Sequence, residues 1–108
     1  MNLNIKYQEI AYQLLNMVKE DYNMQNELAK KANSFENYPQ ELEAIHLRNA
    51  ENLRKIIYQI GWPTVDKVGS EAAYAAWIIL QNAISSPELH RESIPILMDM
   101  AKKNEIIP

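Results

Sequence analysis

Apolar residues recur through the first third of the chain at alternating spacings of four and three, which place side chains on one face of a helix. This seam consists of Leu3, Tyr7, Ile10, Leu14, Met17, Met24 and Leu28. Asp21 fills the one gap in it, where the pattern calls for an apolar residue. No proline or glycine interrupts the stretch, so we predict a helix over residues 4–33, followed by a loop at 34–39.

A second seam with the same spacing predicts a helix over residues 39–60. Its members are Leu42, His46, Asn49, Leu53, Ile56 and Ile60. His46 and Asn49 are polar residues in an otherwise apolar set. Gly61 suits the positive-φ position that ends many helices, and Pro63 prevents the helix from continuing.

A third helix is predicted over residues 70–84, after a structured connector at 62–69 in which Trp62 covers an edge of the core. Ser70 is a favourable N-cap residue for this helix. The helix is rich in alanine and apolar nearly all round. That composition is typical of a central helix with several neighbours packed against it.

A fourth helix is predicted to start after Ser86, another favourable N-cap residue, and to end near Lys103. Pro95 lies inside it and is expected to kink it. With only two glycines in the chain, a fold rich in tight turns is disfavoured. We therefore predict one all-α domain over residues 1–108, a four-helix bundle-like array with a kinked last helix.

Composition narrows the classes of partner. The net charge is -3 and no block of lysine and arginine stands out, so we expect no nucleic-acid binding. The most apolar run, residues 72–80, is too short to cross a membrane, and the N-terminus lacks the features of a signal peptide. We therefore expect a cytoplasmic protein with no membrane partner.

Metal and cofactor chemistry has little support in the sequence. The chain has no cysteine and only two histidines, which removes thiolate and multi-histidine zinc sites. No glycine-rich phosphate loop occurs. We predict neither a metal nor a cofactor. The six tyrosines are predicted to pack mainly in the core.

Four polar residues fall where the helical pattern calls for apolar ones: Asp21, His46, Asn49 and Gln81. Burying such groups costs free energy unless they are paired. They are our candidate ligand pocket, with Trp62 as its cover and Asn82 as a further member. In such a pocket the acid orients the imidazole and the amides hold a ligand. The alternative is an internal hydrogen-bond network that fixes the register of the helices.

A set of short motifs adds a family resemblance. They are His46-Leu-Arg-Asn49, Leu53-Arg-Lys-Ile56-Ile57, Gly61-Trp62-Pro63-Thr64, Val68-Gly69, Ala76-Trp77 and Gln81. Over residues 44–103 the pattern resembles a mainly bacterial family known as domain of unknown function 6624. The resemblance implies a Gln-His pair where this chain has Gln81-Asn82, so an acid–base imidazole is missing here. It also implies further Asp-Arg and Tyr-Gly-Thr-Gln segments that are not found here, so we expect a truncated version of the family's domain, a degenerate member, or a descendant that only binds.

Three functions remain open on the sequence alone. The first is a binding or interaction domain with a polar pocket for a small ligand or peptide. The second is a hydrolase or transferase that uses His46 as a general base, oriented by Asp21. The third is a protein that binds another protein, as an immunity factor or inhibitor, or that forms a homodimer. We rank binding or interaction above catalysis.

Overall fold

The computed structural model describes residues 5–31 and 39–103. These residues form helices and no strand, which confirms the all-α prediction. The helices are α1 (Gln8–Lys31), α2 (Gln40–Ile60), α3 (Val65–Val68), α4 (Ser70–Asn82) and α5 (Pro87–Lys102). The extra helix is α3, a single turn in the predicted connector, which is too short to show a helical period. The prediction that the first helix starts at residue 4 is wrong, because residues 5–7 are not helical. Its predicted end and the loop at 34–38 lie outside the described residues.

The two serines predicted as N-cap residues behave differently in the structure. Gly69, with a φ of 86°, is the N-cap of α4, and Ser70 is the first helical residue, so the prediction for Ser70 is wrong by one position. Ser86 is the N-cap of α5 as predicted, yet its side chain makes no capping hydrogen bond. The helix α5 includes Pro95.

The helix α4 lies at the centre of the bundle and contacts α1, α2 and α3. Its buried side chains are Ala72, Ala73, Ala75, Ala76, Ile79 and Leu80. Most of them are alanines, and these small residues allow the neighbouring helices to approach closely. Leu14 of α1, Leu53 of α2 and Leu89 of α5 are fully buried in the same core. The apolar pattern of the third predicted helix thus identified the central element correctly.

The prediction that the tyrosines pack mainly in the core is wrong. Tyr12, Tyr22, Tyr58 and Tyr74 are exposed, and Tyr58 is 93% exposed. These positions border the apolar seams instead of lying within them. An aromatic side chain with a hydroxyl group tolerates such a position, because its polar end remains hydrated.

A glycine and a lysine donate hydrogen bonds to carbonyl groups at the C-terminal end of α2. Gly61 has a φ of 77°, as predicted, and its N–H donates to the carbonyl of Ile57. Lys67 donates from Nζ to the carbonyl oxygens of Ile60 and Trp62. A positive charge at this end of a helix interacts favourably with the helix dipole.

We expect Gly61→Ala to lower the free energy of unfolding by about 1–2 kcal/mol. An L-residue is strained at this φ, and a Cβ atom added here would lie 3.0 Å from Lys67 Nζ. Urea unfolding measures the change. Gln59→Ala, at an exposed position of the same helix, is the control and should stay within about 0.5 kcal/mol of the wild type. Equal stabilities for the two variants would contradict this account of the helix end.

A bidentate ion pair ties α5 to α2. Arg54 donates from Nε to Glu92 Oε1 at 2.8 Å and from Nη2 to Glu92 Oε2 at 2.7 Å. These hydrogen bonds from the guanidinium lower the pKa of Glu92 below its ordinary value. The pair lies on the surface, so its contribution to stability is small.

The Glu92 ion pair predicts a specific pH dependence. Because the pKa of Glu92 is lower in the folded than in the unfolded chain, its stabilisation is complete above the unfolded pKa of about 4.3. It is lost as the pH falls through the folded pKa. When the free energy of unfolding is measured from pH 6 downwards, it should therefore fall less steeply in Glu92→Gln than in the wild type. Arg54→Gln, which removes the guanidinium donors, should show the same shallower loss.

Candidate functional site

Asp21 is the centre of a buried polar cluster that joins three helices. It occupies a core-facing position of α1 and is only 4% exposed. Its Oδ1 lies 2.9 Å from Nε2 of His46 in α2, and its Oδ2 accepts a hydrogen bond from Asn82 Nδ2 of α4 at 3.0 Å. Gln25, one turn further along α1, donates to Oδ1 at 3.0 Å. We call these four residues the Asp21 cluster.

His46 is 7% exposed and faces the carboxylate with its Nε2 atom. A carboxylate oxygen can only accept, so the hydrogen of this bond belongs to Nε2 and the imidazole is the donor. The acid orients the ring, as in many sites where a histidine acts as a base. The same geometry also serves as a structural link between α1 and α2.

Asn49 forms a second link between these two helices. It lies one turn beyond His46 in α2 and is 2% exposed. Its Nδ2 donates to the carbonyl oxygen of Met17, one turn before Asp21 in α1, at 3.2 Å. The two helices are therefore antiparallel here, because later residues of α2 meet earlier residues of α1. Asn49 Oδ1 is buried, and no group of residues 5–31 and 39–103 donates a hydrogen bond to it.

Of the two neighbouring amides on α4, Asn82 belongs to the Asp21 cluster and Gln81 does not. The Gln81 side chain is exposed on a face of α4 that also carries Tyr74, so the prediction that it is buried with the others is wrong. Adjacent residues of a helix point about 100° apart, so one of the two amides faces Asp21 and the other faces solvent. The sequence pattern alone left this choice open, although Asn82 was among the candidates.

Trp62 does not cover this cluster. It is buried in the core, as expected for a residue at a core edge, but it follows the C-terminal end of α2. His46 lies fourteen residues before Ile60, the last residue of α2. That separation corresponds to about 20 Å along the helix axis. The two residues therefore belong to opposite ends of the bundle.

Gln25 is a member of the cluster that the sequence reading missed. Its only signal is the spacing of four from Asp21, which places the two side chains on neighbouring turns. Gln25 itself is exposed, so it closes the solvent side of the carboxylate. All donors found here for Asp21 are therefore side chains, two of them on other helices.

A shallow groove of about 440 Å³ runs beside the cluster, between α1 and α2. Its lining residues are Glu9, Tyr12, Gln13, Asn16, Met17, Glu20, Arg48, Asn49 and Asn52. We call it the amide groove, because four of these side chains are carboxamides. Arg48 and Glu20 form an ion pair across it. The polar spacing of Gln13 and Asn16, beside the apolar seam of α1, was a signal that the sequence reading did not use.

The described part of the chain lacks two further features, a metal-binding cluster and a membrane-spanning helix. Residues 5–31 and 39–103 contain no group of three or more histidine, aspartate or glutamate side chains placed to hold a metal ion. Among the same residues, no helix has the length and apolar character needed to cross a membrane.

Comparison with known proteins identifies no relative. No family model, no curated protein and no solved structure matches the chain. The resemblance to domain of unknown function 6624 therefore remains a prediction, and the function has to be argued from the geometry of the chain itself.

Proposed function

We propose that this chain is a small helical binding domain that holds a small ligand or peptide in the amide groove. The observation that carries the proposal is the unpaired Oδ1 of Asn49, a buried acceptor in a residue that lines this groove. A buried polar atom without a partner costs about 1–3 kcal/mol. A ligand N–H or O–H group that reaches this oxygen would remove that cost.

The Asp21 cluster helps to hold together the two helices that form the walls of the groove. Its one link between α1 and α2, the His46–Asp21 hydrogen bond, lies one helical turn from the Asn49–Met17 hydrogen bond. The distance between the two walls of the groove is thereby held in place before a ligand arrives. Such preorganisation lowers the entropic cost of binding.

NMR titration tests this proposal. The probes are single small amides and alcohols, with N-methylacetamide as the first, and the signals are the side-chain NH₂ resonances of Asn16, Asn49 and Asn52. We expect at least one probe to shift these resonances saturably, and Asn52→Ala to weaken its binding. Asn26→Ala, at an exposed position of α1 outside the groove, should bind as the wild type does. If no probe perturbs the groove amides, the chain is not a binding domain of this kind.

Catalysis is the second candidate, because His46 and Asp21 lie 2.9 Å apart, as a base and its orienting acid would. Against it, His46 is almost buried, and Asp21 already accepts hydrogen bonds from three side chains. Hydrolysis of an activated ester separates the candidates. A hydrolysis rate that disappears in His46→Gln would favour the enzyme, whereas equal rates for the variant and the wild type would favour binding alone.

A protein partner is the third candidate, supported by exposed apolar side chains that include Tyr58 and Ile84. Tyrosine is enriched at protein interfaces. Sedimentation at increasing protein concentration tests the homodimer, the simplest form of this candidate. A mass that stays at that of one chain at every concentration would exclude the homodimer.

A further inference from the structure

The amide groove has a chemistry that suits one ligand class. A carboxamide carries an acceptor oxygen and a donor NH₂ group side by side. In an extended peptide the N–H and C=O of one residue point to the same side, so a carboxamide can pair with both groups of that residue. Gln13 and Asn16 on α1 face Asn49 and Asn52 on α2 across the groove. A ligand with repeated amide groups can therefore be bound from both walls.

The length of the groove sets the size of that ligand. Glu9 and Glu20, the outermost α1 residues of the lining, are eleven residues apart. Eleven residues of α-helix span about 16 Å. An extended chain covers about 3.3 Å per residue. The groove therefore accommodates about five residues of extended peptide.

Charge favours neutral or basic peptides over acidic ones. Arg48, the one cationic residue of the lining, is already paired with Glu20. Glu9 makes no ion pair among residues 5–31 and 39–103 and stands near one end of the groove. The whole chain has a net charge of -3. A lysine or arginine of the ligand is therefore best placed at the Glu9 end, next to the exposed ring of Tyr12.

We propose that the amide groove binds the main chain of an extended peptide of about five residues, neutral or basic in charge. This inference rests on the proposed function, because it names the ligand class of the same groove. In it, Asn49 Oδ1 accepts a hydrogen bond from a peptide N–H near the middle of the ligand. The amides of Asn16 and Asn52 pair with neighbouring peptide groups.

Selection from a displayed library of random seven-residue peptides is the first experiment. The full chain is the bait, and the double variant Asn16→Ala/Asn52→Ala is the counter-bait. Both substitutions remove partly or fully exposed amides from helices, where alanine is well tolerated. Asn23→Ala/Asn26→Ala is the matched control, since both asparagines are exposed on α1 outside the groove. We expect neutral and basic peptides that bind the groove variant at least tenfold more weakly than the control.

Methylation of the peptide backbone is the second experiment, because it separates main-chain from side-chain recognition. For the tightest selected peptide, N-methylation of one central peptide bond should weaken binding at least tenfold while the side chains stay the same. Binding that survives methylation at every peptide bond overturns the inference. So does a library in which no peptide distinguishes the wild type from the groove variant.

The outcomes also separate this inference from the proposed function. If small probes shift the groove amides but no peptide is selected, the groove binds another ligand class and only the inference fails. If a short single-stranded RNA binds in the groove and peptides do not, the inference fails in the same way. If neither probes nor peptides reach the groove amides, both proposals fail.

Discussion

Asp21→Ala should lower the free energy of unfolding by about 2–5 kcal/mol, because each buried or partly buried donor that loses its acceptor costs about 1–3 kcal/mol. The substitution leaves the buried Nε2–H of His46 without its acceptor and Asn82 without its partner. Gln25 is exposed, so water can satisfy it. Urea unfolding at neutral pH gives the change directly.

Glu20→Ala is the matched control for this experiment. Glu20 is the neighbouring acid on α1, and its ion pair with Arg48 lies on the surface. Exposed pairs of this kind contribute about 0–1 kcal/mol. If Asp21→Ala costs no more than Glu20→Ala, the Asp21 cluster does not hold the helices together.

A double-mutant cycle tells whether Asp21 and His46 act as one unit. His46→Ala and the double variant complete the cycle. Because the two residues share a hydrogen bond, the double variant should cost clearly less than the sum of the single changes. Additive costs would mean that each residue stabilises the fold through other contacts.

Leu53→Ala should lower the free energy of unfolding by about 2–5 kcal/mol. Leu53 is fully buried in α2, where the core cluster surrounds it. Removing its side chain loses apolar burial and leaves a cavity that close-packed neighbours fill only in part.

Leu47→Ala offers a control with the same chemistry on the same helix. Leu47 is 42% exposed, so its truncation creates no enclosed cavity. Thermal or urea unfolding should show a loss well below that of Leu53→Ala. Similar losses for the two variants would indicate that the core lies elsewhere than the structure places it.

The sequence predicted the helices well, because their period depends on neighbours three and four residues apart. The predicted second helix, residues 39–60, differs from α2 by one residue at its start. The exception was α3, whose single turn is too short for any period. Its place in the chain was identified as a structured connector without its helical form.

The sequence also identified the buried polar positions of α1 and α2, since a polar residue in an apolar seam is visible in the pattern alone. Asp21, His46 and Asn49 were found in this way, and all three are buried. What the pattern could not predict was which atoms meet. That depends on how far each helix is rotated and shifted against the next.

Only the packing of the helices decided between Gln81 and Asn82, and it placed Trp62 at the far end of the bundle. It also created the amide groove, whose two walls come from separate helices, α1 and α2. Local sequence determines the fold of each helix through hydrogen bonds and side-chain spacing within that helix. The groove and the cluster arise from contacts between helices, so their geometry follows only from the way the whole core packs.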